Sequence, residues 1–222
     1  MTRIIIVDYG VGNIRSVQKA FELVGANATI SSDPSIIRSA HAVVLPGVGA
    51  FGDAMRSLNE RDLINPLREA ALQKKIPFLG ICLGMQLLFE CSEEGGNIEG
   101  LSILPGRVVR FDLSSKKDYF GAQLRLPHVG WNSITINAES RILKDVPTGS
   151  DFYFVHSYHV SEIEEVSVAA ECRYGKNFAC AVEIDNVMAT QFHPEKSQRE
   201  GQRIISNFVG ICLDASREKL IS

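Results

Sequence analysis

Nowhere does the sequence approach the roughly 20 consecutive apolar residues that a bilayer-spanning helix needs, because charge, glycine or proline breaks even the richest runs within a few residues. A membrane span is excluded. Only Ile4 to Val7 are strongly apolar before Asp8, far short of a secretory signal, so the chain is expected in the cytoplasm. No CxxC pair is present, and five cysteines are an odd number, which fits a reducing compartment better than a disulfide framework. Blocks of like charge are missing too. Lys plus Arg number 23 against 26 for Asp plus Glu, a net of −3, so no basic stripe is available for nucleic acid. Prolines are few, 8 in 222 residues, and 45% of residues are hydrophobic against 22% charged, which excludes disorder and leaves one α/β domain over residues 1–222.

The first half alternates strand and helix. Ile4 to Val7 is a continuous β-branched run, as for a strand buried on both faces, and it stops at Asp8-Tyr9-Gly10-Val11-Gly12. A helix follows, with Asn13 as N-cap, Ile14, Val17, Phe21 and Val24 on one face, and Gly25 as the stop. The same logic gives strands at Ala28 to Ser31, Ala42 to Leu45 and Ile76 to Ile81, a glycine-rich loop from Pro46 to Gly52, and helical segments through Asp53 to Lys75. This alternation implies a mostly parallel, doubly wound sheet. Past Gly100 short β runs take over, at Arg107 to Phe111, Ser133 to Ile136, Phe152 to Tyr158, Val166 to Cys172, Phe178 to Ile184 and Val187 to Phe192. Hairpin turns are legible at Gly175-Lys176 and Asp185-Asn186, so antiparallel strands extend the parallel sheet or cover it. A two-residue turn at Gly175-Lys176 pairs Cys172 with residue 179, which puts Cys172 and Cys180 out of register for a bridge. These two, with Cys91 and Cys212, are expected as buried free thiols. A last helix spans Arg199 to Leu213, with Ile204, Ile205, Phe208, Ile211 and Cys212 on one face.

The sharpest chemical signal is Gly80-Ile81-Cys82-Leu83-Gly84, a nucleophile-elbow pattern with cysteine in place of serine. A predicted strand enters it and a predicted helix, Leu83 to Cys91, leaves it. That geometry exposes the sulfur at a helix N-terminus, where the dipole favours thiolate. The backbone N–H of Leu83 then faces the same space. A cysteine nucleophile needs a base. His193 opens His193-Pro194-Glu195, where proline biases it toward extended backbone, so residues 193 and 195 project from the same side and Glu195 can orient the imidazole. His156 and His159 lie three apart in one predicted strand, on opposite faces, which argues against a shared metal. His41 reads as solvated, and His128, in Pro127 to Asn132, reads as a packed or partner-facing loop residue. Pro46 to Gly52 carries neither a P-loop lysine nor GxGxxG; it fits better as a loop that completes an oxyanion hole beside Cys82.

Gly80 to Gln86 (GICLGMQ), Gln191 to Ser197 (QFHPEKS) and Pro46 to Phe51 (PGVGAF), in this arrangement, resemble the class I, or triad-type, glutamine amidotransferases. Within that class the chain is most similar to the glutaminase subunits of imidazole glycerol phosphate synthase, through Asp8 to Val17 (DYGVGNIRSV), Pro105 to Phe111 (PGRVVRF), Pro127 to Asn132 (PHVGWN) and Tyr153 to Tyr158 (YFVHSY). The resemblance implies that Cys82 attacks the glutamine side-chain amide, His193 shuttles protons and Glu195 holds His193. A thioester forms, ammonia leaves, and water releases glutamate. By the same resemblance the oxyanion hole is the backbone of Leu83 and of Val48-Gly49. Glutamine is bound by Gly49, Gln86 and the backbone of Ser157-Tyr158. Asn13, Arg15, Trp131 and Lys196 belong to the interface with a cyclase, the heterodimer partner that uses the ammonia to make imidazole glycerol phosphate and AICAR in histidine biosynthesis. No cofactor or metal is implied, and the departures from the pattern lie in loops such as Ser114 to Gln123. The residues alone reach only a cysteine acyl-transfer enzyme. A cysteine peptidase on a similar sheet, a paralogous ammonia-consuming pathway and a binding module that kept the fold stand as alternatives.

Overall fold

The computed structural model of the chain describes residues 2–114, 116 and 121–221, so half of the departing stretch noted at 114–123 lies outside the described residues. Ile4–Val7 forms strand β1 with every residue buried. The alternation of a strand explains this: Ile5 and Val7 enter one hydrophobic cluster, Ile4 and Ile6 the other, on opposite faces of the sheet. There follow α1 (Ile14–Leu23), β2 (Ala28–Ser31), α2 (Pro34–Arg38), β3 (Ala42–Gly47), α3 (Phe51–Glu60), α4 (Ile64–Arg68) continuing into a π-helical turn at Glu69–Gln73, β4 (Phe78–Cys82) and α5 (Leu83–Leu87). Asn13 caps α1, its side chain accepting a hydrogen bond from the Ser16 N–H. In the second half come β5 (Cys91–Ser92), β6 (Ile98–Glu99), β7 (Arg107–Arg110), β8 (His128–Ile136), β9 (Asp151–His156), β10 (Tyr158–Ser161), β11 (Val168–Tyr174), β12 (Lys176–Ile184), β13 (Val187–Thr190) and α6 (Gln198–Ile221).

Nine strands form one sheet in the order β2-β1-β3-β4-β13-β12-β11-β8-β9, and β10-β7-β5-β6 form a second, smaller one. The strands β2, β1, β3, β4 and β13 run parallel; β12, β11, β8 and β9 extend the sheet antiparallel. The late strands therefore extend the first sheet, as expected, and also build a second one. The decisive feature is β13, which enters from the C-terminal half and pairs parallel with β4, Thr190 beside Ile81. Its carboxyl end thus stands next to that of β4, the position where open α/β sheets place their ligands.

Several local expectations are corrected. The helix after Cys82 ends at Leu87, not Cys91, and Cys91 is only half-buried in β5. The chain between β11 and β12 turns on Gly175 alone, φ 71°, so Cys172 pairs with Phe178 and not with 179; all five cysteines are free. Of the Pro46 to Gly52 loop, Pro46 and Gly47 belong to β3, and Phe51 already opens α3. His156 and His159 do not share a strand. The chain crosses from the large sheet to the small one at Ser157, which breaks the alternation, and both rings pack on Phe111, at 5.3 and 4.5 Å between centroids. His128 and Trp131 lie on β8 and not in a loop.

Candidate active site

Strand β4 ends at Cys82 with φ 54° and ψ −109°, a left-handed conformation for a residue with a side chain. Such a backbone costs on the order of 1–3 kcal/mol and is kept only where the surroundings hold it. Glycines hold it here. A Cβ on Gly84 would overlap the Leu45 carbonyl, one on Gly47 would overlap the Tyr9 hydroxyl, and one on Gly80 would stand 2.9 Å from the Gly84 oxygen. Helix α5 has only five residues, so its dipole supports a thiolate less than a long helix would. The nearby polar groups matter more.

Cys82 is nearly buried, 4% exposed. Its Sγ lies 3.9 Å from the Val155 carbonyl and 3.7 Å from Gln191 Nε2, which donates to it. The His193 ring stands behind the sulfur, its Nδ1 2.8 Å from Glu195 Oε1, with both side chains buried. That leaves Nε2, which is buried with no hydrogen-bond partner among the described residues, close enough to Cys82 for that side chain to raise the pKa of the ring. Burial alone would lower the pKa of this histidine, but Cys82 and Glu195 together lift it to about 10. The backbone reaches this arrangement differently from the expected extended dipeptide alternation. His193 is extended (φ −97°, ψ 96°), but Pro194–Lys196 is a 3-10 turn that folds Glu195 back beneath the ring. Ser197 secures the turn: its hydroxyl donates to the His193 carbonyl at 2.6 Å and accepts from the Tyr153 N–H at 3.0 Å.

In front of the sulfur opens a cavity of about 240 Å³. Val48, Gly49, Cys82, Leu83, Gln86, Glu94, Pro127 and Val155 to Tyr158 line it. Gly49 has φ 102°, a conformation glycine adopts at little cost. Gln86, Ser157 and Tyr158 are thus brought to the same cavity as Cys82. Three residues here were not singled out from the sequence. Gln191 sits just past β13 and touches the sulfur. Glu94 accepts from the Phe51 N–H at 2.8 Å and so caps α3, whose own N-cap position is Ala50 with no side-chain bond. Tyr9 is buried below the elbow and donates to the Pro46 carbonyl at 2.9 Å; burial, and then the Cys82 charge, push its phenol pKa upward. The missing cap on α3 was a readable signal that an acceptor must come from elsewhere. Nothing in the pattern named Glu94.

The family model for glutamine amidotransferase class-I matches residues 5–212. The chain belongs to this family. Among similar proteins is the imidazole glycerol phosphate synthase subunit HisH of Syntrophotalea carbinolica, 50% identical over 205 residues, covering 92% of this chain and 98% of that one. The HisH subunits of Geobacter sulfurreducens and Aquifex aeolicus are each 46% identical, covering 94% and 93% of this chain and 98% and 95% of theirs. A solved structure described as a glutamine amidotransferase superposes with a TM-score of 0.71 at 19% identity, covering 94% of this chain and 98% of that one. PurLQS of Thermotoga maritima gives 0.67 at 18%, covering 94% and 98%. At those identities the structural matches speak for the shared glutamine amidotransferase fold alone.

The residues assigned to an interface are all exposed, and none of them lines the cavity. Trp131 is 47% exposed and meets Tyr153 edge to face at 6.0 Å, and Lys196 Nζ lies 5.5 Å from the centre of the Tyr153 ring. Arg15 is exposed and donates to Gln18 at 2.9 Å. Asn13 is exposed as well, with its side chain engaged in capping α1. No helix among the described residues is long and apolar enough to cross a membrane.

Proposed function

We propose that this chain hydrolyses L-glutamine to glutamate and ammonia through a thioester on Cys82, and hands the ammonia to a cyclase partner. The observation that carries this is the strained Cys82 facing a small cavity, with the buried His193–Glu195 pair beside it. The thiolate adds to the side-chain carbonyl carbon. The backbone N–H groups of Leu83 and of Val48-Gly49 receive the oxyanion, which is worth most in a site that excludes water. The carbon–nitrogen bond then breaks, the nitrogen leaving as ammonia with a proton from the His193 imidazolium. Water, deprotonated by the neutral imidazole, attacks the thioester and restores the thiolate. Gly49 and the backbone of Ser157-Tyr158 hold the amino-acid end, and Glu94 sets a negative charge where an α-ammonium group is to sit.

The named relatives are each one subunit of imidazole glycerol phosphate synthase, and they match over nearly their full length. That supports a cyclase partner making imidazole glycerol phosphate and AICAR in histidine biosynthesis, with the heterodimer in the cytoplasm, where five free thiols are at home. The test is labelling with a glutamine analogue that carries an electrophile at the δ carbon. Stoichiometric mass gain on Cys82 is expected. Labelling by peptide-based electrophiles alone would overturn the assignment in favour of a peptidase.

A further inference from the structure

Gln191 is completely buried, lies one residue past β13, and is two residues from His193. Its amide orientation follows from its neighbours by elimination. The Tyr158 carbonyl can only accept, so the Gln86 amide end lying 3.0 Å from it must be the NH₂ group. That same Nε2 lies 3.0 Å from Gln191, and because it only donates, the end of Gln191 that it meets must be Oε1. The other end of Gln191 is therefore its NH₂ group, and that end points at Cys82 Sγ, 3.7 Å away. The Tyr158 carbonyl is itself held from a second side by His156 Nδ1 at 2.8 Å. A chain of fixed polarity thus runs from a backbone carbonyl through two buried amides to the nucleophilic sulfur.

We propose that Gln191 is a catalytic residue that donates a hydrogen bond to the Cys82 thiolate, and that Gln86 is the positioning residue that turns the Gln191 amide to do so. The inference rests on Cys82 as the nucleophile but not on glutamine as the substrate. A hydrogen bond to the charged form of a group stabilises that form. It also fixes the sulfur in one direction, so that the lone pair facing the cavity is the one free to attack. Both hydrogens of the Gln86 amide nitrogen are engaged inside the protein, which leaves only its Oε1 for a ligand in the cavity it lines. Gln86 thereby serves the nucleophile as well as the substrate.

The test is the pH dependence of alkylation of the isolated chain by iodoacetamide, a small reagent that needs no glutamine site. The groups facing Cys82 are His193 with Glu195 behind it, Tyr9 below, and His156 and Glu94 across the cavity; all are unchanged in the two variants. Gln191→Met keeps the volume and removes the donor. The midpoint for thiolate formation is expected to move up by about one pH unit, the size of a hydrogen bond to a charged group. Gln86→Met is expected to move it in the same direction by less, because the Gln191 amide keeps its hydrogens and loses only its anchor. Thermal melting establishes that each variant is folded, and if Gln191→Met does not fold, Gln86→Met decides. A folded Gln191→Met with an unchanged midpoint overturns the proposal, as does an unchanged Gln86→Met where only that variant folds. A wild type that does not hydrolyse glutamine but shows these shifts overturns the glutaminase reading alone.

Discussion

His193 Nδ1 lies 2.8 Å from Glu195 Oε1, and neither side chain is more than 3% exposed. The pair is tied by a single 3-10 turn, so the carboxylate cannot swing away without unmaking the Pro194–Lys196 backbone. Glu195→Gln keeps the shape and removes the charge. Because the pair strengthens as imidazolium forms, kcat for glutamine should fall by about 10²-fold or more while KM stays within about twofold. A raised KM with intact kcat would assign Glu195 to binding. The charge also matters for stability. The folded pKa of His193 is raised to about 10, above the ordinary 6.5, so the stabilisation is complete below pH 6.5 and fades as pH climbs toward 10. In the Gln variant this alkaline loss should be smaller, as read by melting temperature between pH 7 and 10.

Cys82→Ala should abolish glutamine hydrolysis and leave the fold unchanged, since the contacts of the sulfur with Gln191 and the Val155 carbonyl are long, at 3.7 and 3.9 Å. The substitution relieves no strain at φ 54°, because alanine also carries a Cβ. A loss of at least about 10³-fold is expected, with the complex still active on added ammonium salt. Retention of more than a tenth of the rate in a steady-state ammonia assay would remove Cys82 from its role.

Those parts of the molecule that are set by local chemistry were legible in the sequence. Strand β1, the Asn13-capped α1 and the two-residue turn at Asp185-Asn186, where Ile184 pairs with Val187, follow from runs of a few residues. The elbow is of the same kind. Helix α2 was readable and was passed over: Asp33 caps it through the Ser35 N–H at 2.7 Å, and Pro34 opens it. What could not be read depends on residues far apart in the chain. Gln191 acquires its orientation from Gln86, 105 positions away, and Glu94 caps a helix 43 positions before it. The His156–His159 placement failed for a related reason. A period-two argument holds only while the chain stays in one sheet, and at Ser157 it does not.

Acid should destabilise this protein through its buried histidines. His159 is 2% exposed, its Nδ1 lies 2.7 Å from the Val160 carbonyl, and its Nε2 is buried with no hydrogen-bond partner. Burial lowers its pKa to about 4, and that of His156 to about 3. A depressed histidine binds its proton more readily when unfolded. Stability from each is therefore whole above pH 6.5 and declines as pH falls toward the folded value. At pH 5 the loss from His159 alone is about 2 kcal/mol. His159→Phe, which keeps a ring against Phe111 and Phe178, should flatten the decline between pH 7 and pH 5 in urea titrations. An undiminished decline would show that His159 is not among its sources.

Ammonia set free in neutral water is mostly protonated and no longer nucleophilic, so transfer to a second site requires the partner to cover the mouth of the cavity. The exposed face of β8 is suited to a partner. Trp131 and Val129 alternate outward on β8, 47% and 56% exposed, while His128 and Asn132 on the other face join by a 2.8 Å hydrogen bond within the protein. Trp131 is thus not a core aromatic, and its removal should leave the melting temperature of the isolated chain within a few degrees. Tyr153 backs it, and Lys196 covers Tyr153, one residue after Glu195. A partner that presses on Trp131 therefore presses on Tyr153, whose carbonyl accepts from the His193 N–H at 2.9 Å and whose ring meets Lys196 in the turn that holds Glu195. Tryptophan and arginine are the side chains that most often dominate interface energetics. Trp131→Ala is expected to weaken association with the cyclase at least about tenfold, or ~1.4 kcal/mol, and Arg15→Ala by less, since the Arg15 guanidinium is already engaged by Gln18. Both should raise the ratio of glutamine consumed to product made above one. Calorimetric titration of the two proteins measures the first quantity, and paired assays of glutamate and product the second. If both variants bind within about twofold of the wild type, ~0.4 kcal/mol, and the ratio stays at one, the partner docks elsewhere.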